Sequence, residues 1–148
     1  MSDNLEKMQK GKIAEFQVLS KLIASGLDLY TPIVDRGIDC IIRIEKTGEP
    51  AKYFDIQIKG ARYGNVSIRG SKKIAGYIHE KKPTNYFLII AMRENGGYKY
   101  AIYLTTEQVK EYLHKFKKGE IDINVPASDR DALIKSQSID VLISKLKG

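Results

Sequence analysis

Two short runs carry most of the residues that could do chemistry in this 148-residue chain. In FDIQIKG, positions 54–60, Asp55, Gln57 and Lys59 alternate with Phe54, Ile56 and Ile58. A period of two sets the apolar side chains on one face of a strand and a carboxylate, an amide and an ammonium on the other. The second run, DRGIDC, brings Asp39, and a third carboxylate, Glu15, lies in GKIAEF. Acids and an amide offer oxygen ligands to a hard divalent cation, and a lysine two residues from the amide adds a positive charge on the same face. Soft-metal chemistry has little to work with: Cys40 is the only cysteine, and His79 and His114 are the only histidines. Each histidine reads more simply as a surface residue than as a base.

Three kinds of element must position these groups. A helix is predicted from Asn4 to Ala24, stopped by Ser25-Gly26. At about 100° per residue, Met8, Val18, Leu19 and Leu22 form its stripe, flanked by Leu5 and Ile23, with Glu15 in the middle. A carboxylate there must be paired, protonated or bound to an ion, because an isolated buried charge is costly. The plainest arrangement is an ion pair to a lysine or arginine at the core's edge. Strands follow at Leu27 to Val34, at Ile38 to Glu45 through the turn Asp35-Arg36-Gly37, and at Lys52 to Gly60. KTGEPA is short and rich in turn residues, so the last two are expected to pair as an antiparallel hairpin. With their apolar faces matched, Asp39 joins Asp55, Gln57 and Lys59 on one surface. Beyond lie a helix from Ser71 to Lys82, a buried strand from Asn85 to Met92, its hairpin partner from Tyr98 to Thr105 through ENGG, a helix from Thr106 to Lys117 with Phe116 among its contacts, and a helical tail from Asp129 to Leu146. The expected class is α/β: one domain, with a central mixed sheet flanked by helices.

The formal net charge is +7. It is concentrated between Lys59 and Lys82, where seven basic residues stand against the single acid Glu80. Such a stretch fits a polyanionic partner, although a solvated lysine-rich surface has the same composition. Within GARYGNVSIRGSKK, Arg62, Arg69, Lys72 and Lys73 are the candidates to meet phosphates, and Tyr63 is better explained by packing. No apolar run approaches the roughly 20 residues that cross a bilayer, and the first residues lack the apolar centre of a secretory signal. A cytoplasmic protein with no membrane partner is expected.

The order α-β-β-β-α-β, with Glu15 on the first helix, Asp39 on the second strand and Gln57-x-Lys59 on the third, resembles the PD-(D/E)XK superfamily of metal-dependent nucleases, which includes restriction enzymes and Holliday-junction resolvases. The resemblance spans about Gly11 to Tyr103. It implies a restriction-endonuclease-like domain that hydrolyses DNA phosphodiester bonds with Mg2+ or Mn2+. It further implies Asp39 as principal metal ligand, Gln57 through its amide oxygen and Ile58 through its carbonyl as further ligands, Glu15 as a ligand through water or to a second ion, and Lys59 as the group steering the attacking water or holding phosphate. Ile38 stands where the family has proline, and Gln57 where it usually has an acid. Asp55, two residues earlier, could return the missing charge, but a solvent-facing strand aspartate is the plainer reading. Cutting both strands of a duplex or junction implies a homodimer or higher symmetric oligomer. If Gln57 leaves the ion unbound, the same surface becomes a non-catalytic nucleic-acid-binding module.

Overall fold

The computed structural model describes every residue except 1, 34–36, 65, 95–96 and 116–118, and all side chains outside these and 2–5, 7 and 8. Leu5, Met8, Val34, Asp35, Arg36 and Phe116, each given a part above, lie outside the described residues or side chains, as does the tip of the ENGG turn.

The chain is α/β, with five helices among its described residues. Its main sheet takes the order β1-β2-β3-β5-β6: β1 Asp28–Tyr30, β2 Cys40–Ile44, β3 Lys52–Arg62, β5 Tyr86–Glu94 and β6 Gly97–Thr105. The β2/β3 and β5/β6 hairpins are antiparallel as expected, and β3 and β5 are parallel, so the sheet is mixed. A parallel pair needs a crossover. Here it contains β4 Val66–Ile68 and α2 Lys72–Lys81. The sheet is covered on both faces. On one side α1 Ser2–Ala24 and α5 Ile139–Lys147 press Ala14, Val18, Leu22 and Leu142 onto Ile56, Ile58, Ile89 and Ala91. On the other, α2, α3 Thr106–Tyr112 and α4 Ala127–Ser136 join Ala61, Leu88, Ile90 and Met92.

Several elements differ from their sequence-based outlines. The first strand keeps only three residues, and Ile33 beyond it is fully exposed. The supposed loop after β3 contains β4, which pairs with β8 Ile121–Val125, and β8 pairs in turn with β7 Leu113–Lys115 to make a second, three-stranded sheet. The helix expected to reach Lys117 therefore ends at Tyr112. Leu113 turns extended (φ −73°, ψ 128°) and pairs with Ile123, so strand pairing wins over helical periodicity there. The tail is two helices rather than one. Ser138 breaks it: its Oγ accepts from Val141 N (3.2 Å) and caps α5, while the amide of the preceding Gln137 donates to Tyr103 O (2.6 Å). Ser71 precedes α2 but does not cap it through its side chain, because its hydroxyl donates to Ile68 O (2.8 Å).

Candidate active site at the open edge of the third strand

Strand β2 stops at Cys40 while β3 runs on to Arg62, and this difference in length creates the site. Asp39 keeps the last hairpin contact, its N–H donating to Ile56 O (2.8 Å). In extended backbone the N–H and C=O of one residue leave on the same edge, and alternate residues share that edge. Ile56 O and Ile58 N–H therefore turn toward β2, and so does the Ile58 carbonyl. Because β2 has ended, the side chain of Asp39 takes the place of a strand: its Oδ2 accepts from Ile58 N at 2.6 Å.

Helix α1 packs on the face of β3 one step beyond. A Cβ on Gly60 would lie 3.3 Å from Gly11 Cα and 3.4 Å from Gly11 O, so the helix rests on strand backbone at a point where only glycines fit comfortably. One turn after Gly11 comes Glu15. Its neighbours Ala14 and Val18 face the sheet, which leaves Glu15 on the flank of the buried stripe rather than in its middle, 18% exposed. It has the ion-pair partner that elementary electrostatics requires, Lys12 Nζ at 3.2 Å. Asp39 feels the company. Burial pushes its carboxyl above the ordinary range, the Ile58 N–H opposes that, the negative charge of Glu15 pushes it further up, and the ammonium groups of Lys59 and Lys12 pull it back. Asp39 thus feels the charges of Glu15, Lys59 and Lys12 while its carboxylate sits on the Ile58 N–H.

Gln57 is engaged elsewhere. It is buried, and its Oε1 accepts from the hydroxyl of Tyr86 at 2.9 Å. Gly37, in the left-handed region (φ 87°), lies over its amide: a Cβ there would stand 3.6 Å from Gln57 Nε2. Asp55 does not face open solvent either. It accepts from Tyr77 Oη at 2.5 Å, and the Tyr77 and Tyr86 rings pack 5.5 Å apart. Burial raises the pKa of both phenols, and the Asp55 carboxylate raises Tyr77 further, so both stay protonated and donate. The polar row of β3 is therefore split. Lys59 acts on the charge of Asp39, while Asp55 and Gln57 are satisfied by tyrosines under α2. Cys40 is fully buried with its thiol pushed up to about 12, which removes it as a nucleophile.

The basic candidates are all at the surface. Arg62 ends β3, Arg69 follows β4, and Lys72 and Lys73 open α2; all four are exposed. The first turn of α2 contains no acid, so its two lysines face the positive end of the helix uncompensated. Tyr63 packs against Tyr100 (5.6 Å), under the Arg130 guanidinium at 4.6 Å, as its glycine-flanked setting indicated. His79 and His114 are exposed.

Sequence reasoning missed Lys12 and Tyr86. The first was readable, since a lysine three residues before an acid is a helical neighbour. Tyr86 was not, because its contact depends on the parallel register that sets it beside β3, Asp55 to Tyr86 and Gln57 to Leu88.

Whether the residues suit a divalent ion turns on the donors. Two carboxylates and a backbone carbonyl are hard ligands, and the raised pKa of Asp39 marks a spot where added positive charge would be favourable. A carbonyl oxygen has two lone pairs, so Gln57 can accept from Tyr86 and still offer a second. Among the described residues no three His, Cys, Asp or Glu side chains gather in one place, so the site rests on two acids and neutral oxygens. No helix is long and apolar enough to cross a membrane among the described residues. No protein-family model matches the chain, and no curated protein matches it.

Proposed function

We propose that the protein is a magnesium- or manganese-dependent endonuclease that hydrolyses DNA phosphodiester bonds, built on a restriction-endonuclease-like version of its α/β fold and related to the PD-(D/E)XK superfamily. The observation that carries this reading is the Asp39 carboxylate held on the Ile58 N–H at 2.6 Å where β2 ends, with Glu15 and Lys59 close enough to act on its charge. Such a place has what phosphodiester hydrolysis needs: acids to hold a hard cation, and a fixed ammonium to meet the charge that grows on phosphate.

In this reading Asp39, Glu15 and the Ile58 carbonyl would hold the ion, and Gln57 would add its amide oxygen. The bound ion supplies Lewis-acid polarisation of the phosphate and a nucleophile at neutral pH. The chain's own residues do the rest. Lys59 orients the phosphate and balances its charge, and Lys12 holds Glu15 in place through their ion pair. Arg62, Arg69, Lys72 and Lys73 grip flanking phosphates, which is where affinity without sequence preference arises. A second copy of the chain would bring the second active site that a double-strand cut needs. Ile13, Phe16 and Ile23 support such a dimer, forming an exposed apolar line on the outer face of α1.

The test is incubation of the metal-free protein with supercoiled plasmid, branched DNA and RNA, with and without magnesium or manganese. Nicking that depends on the ion and disappears in Asp39→Ala and Lys59→Ala is the expected result. DNA binding without nicking in either ion would instead favour a second reading, a nucleic-acid-binding protein on a degenerate nuclease fold. The burial of Gln57 against Tyr86 is the observation that speaks for it.

A further inference from the structure

On the α1 side of the sheet, one step past the cluster at Ile58, two arginines face each other without an acid between them. Arg62 of β3 and Arg93 of β5 are register partners in the parallel pair. They alternate with Ala61 and Met92, which belong to the opposite core, so both project toward α1. Adjacent strands are about 4.8 Å apart, and like charges directly opposite destabilise a sheet. Among the described residues neither arginine has an ion pair with a carboxylate.

Arg93 is also the one described residue with a buried side-chain nitrogen, Nε, that lacks a hydrogen-bond partner. Its placement is built rather than incidental. The β5/β6 register shifts between Met92 and Arg93, moving from Met92 opposite Tyr100 to Arg93 opposite Tyr98, and such a bulge re-aims the side chain beside it. The side chain runs back over Gly60, where a Cβ would lie 3.7 Å from Arg93 Nε, and Gly11 of α1 bounds the same spot. The absent side chain of Gly60 thus leaves room for the unsatisfied Nε of Arg93 beside the point where α1 packs on the strand. Gly60 lies two residues past Ile58, about 6.6 Å along the strand at a rise of about 3.3 Å per residue.

We propose that Arg93 and Arg62 form a phosphate-binding subsite beside the active site. A guanidinium presents N–H donors in a planar fork that fits a phosphate, and a bridging anion turns the repulsion of two facing arginines into attraction. That the phosphate belongs to a nucleic-acid strand rests on the nuclease reading; the phosphate chemistry itself does not.

The experiment follows the Arg93 Nε–H resonance in the proton–nitrogen spectrum of the metal-free protein. Inorganic phosphate and a short single-stranded thymidine oligonucleotide are titrated separately, with sodium chloride at matched ionic strength as control. The expected result is a saturable shift with both phosphate ligands and none with chloride, tighter for the oligonucleotide, and weakened about tenfold or more in Arg62→Gln. The slope of log affinity against log salt for the oligonucleotide should fall by about 1 in that variant. No saturable shift, or one that Arg62→Gln leaves unchanged, overturns the subsite. An oligonucleotide that binds no tighter than phosphate overturns the assignment to a nucleic-acid strand. Since no metal is present, the two readings fail separately: nicking by a protein with no Arg93 response removes the subsite alone, and an Arg93 response without nicking removes the nuclease alone. Arg93→Lys, which keeps charge but loses the fork, should weaken phosphate binding while thermal unfolding confirms the fold; unchanged phosphate binding in a folded Arg93→Lys overturns the proposal.

Discussion

Removing one hydroxyl, in Tyr86→Phe, separates the structural from the catalytic role of Gln57. In the wild-type chain the phenol donates to Gln57 Oε1 at 2.9 Å, with Tyr86 1% and Gln57 5% exposed. Deleting the donor leaves a buried acceptor without its partner, which costs about 1–3 kcal/mol. For a chain of this size the melting temperature should fall by about 3 °C for each kcal/mol lost. Urea and thermal unfolding in chelator would read that loss directly. Magnesium is the second arm. If Gln57 is a ligand, the orphaned oxygen becomes better able to take the ion, and binding stabilises the folded state by about 1.4 kcal/mol at ten times the dissociation constant. The variant should therefore gain more from magnesium than the wild type does. Gln57→Leu combined with Tyr86→Phe removes both partners and should lie close to wild type in chelator, with a weaker response to the ion. Two results would refute the reasoning. A Tyr86→Phe protein as stable as wild type in chelator means that the hydrogen bond does not hold the amide. An equal magnesium response in all three proteins means that Gln57 binds no ion.

Four further outcomes follow from the geometry. Gly60→Ala should lower melting by several degrees, since overpacking costs about 1–3 kcal/mol and its methyl would meet Gly11 backbone at 3.3 Å; it should also reduce nicking by moving Glu15, and unchanged values in both assays would show that the close approach of α1 is dispensable. Because folding raises the Asp39 pKa, the folded chain binds its proton more tightly than the unfolded one, so this group stabilises at low pH and the benefit is lost as pH rises from the ordinary carboxylate range through the raised value. Asp39→Asn should accordingly flatten that part of the pH profile of urea unfolding in chelator; an unaltered slope would contradict the burial of the acid. Ser138→Ala should cost about 1 kcal/mol through loss of the α5 cap, measured by urea unfolding. Phe16→Glu should shift sedimentation to a monomer, and an unchanged sedimentation coefficient would exclude the outer face of α1 as the contact between copies.

Local signals recovered the elements that carry the candidate site. Alternation in FDIQIKG marked β3, KTGEPA marked its hairpin with β2, and the continuous apolar run of 86–92 marked a strand buried on both faces. What was not legible depended on contacts distant in sequence. VSI of β4 is too short to stand out, and it exists because β8, more than fifty residues later, pairs with it. Leu113 obeys helical spacing with Val109 yet belongs to a strand for the same reason. At the site, sequence placed Asp39, Gln57 and Lys59 on one surface but could not foresee their division. Only the parallel register of β3 and β5 shows that Tyr86 and Tyr77 stand over the lower half of the row, and only the fold reveals that Asp39 takes an N–H of the strand for itself.

That division explains how so polar a strand sits in the middle of a sheet. A central strand buried on both faces must satisfy every polar side chain it carries. Where β2 and α2 cover β3, the chain supplies phenols: Tyr77 donates to Asp55 and Tyr86 to Gln57, and neither tyrosine gives up its proton. Where β2 has stopped, the edge is closed by a carboxylate on a backbone N–H, and a helix covers the face beside it, approaching through two glycines. This second closure is electrostatically incomplete, since the desolvated Asp39 also feels the charge of Glu15 and leaves lysines to offset it. A cation at that edge would relieve what the lysines relieve only in part. The same hairpin that ends early therefore leaves the Ile58 N–H to a side chain, and the carboxylate that takes it is buried at a cost that its neighbouring lysines offset.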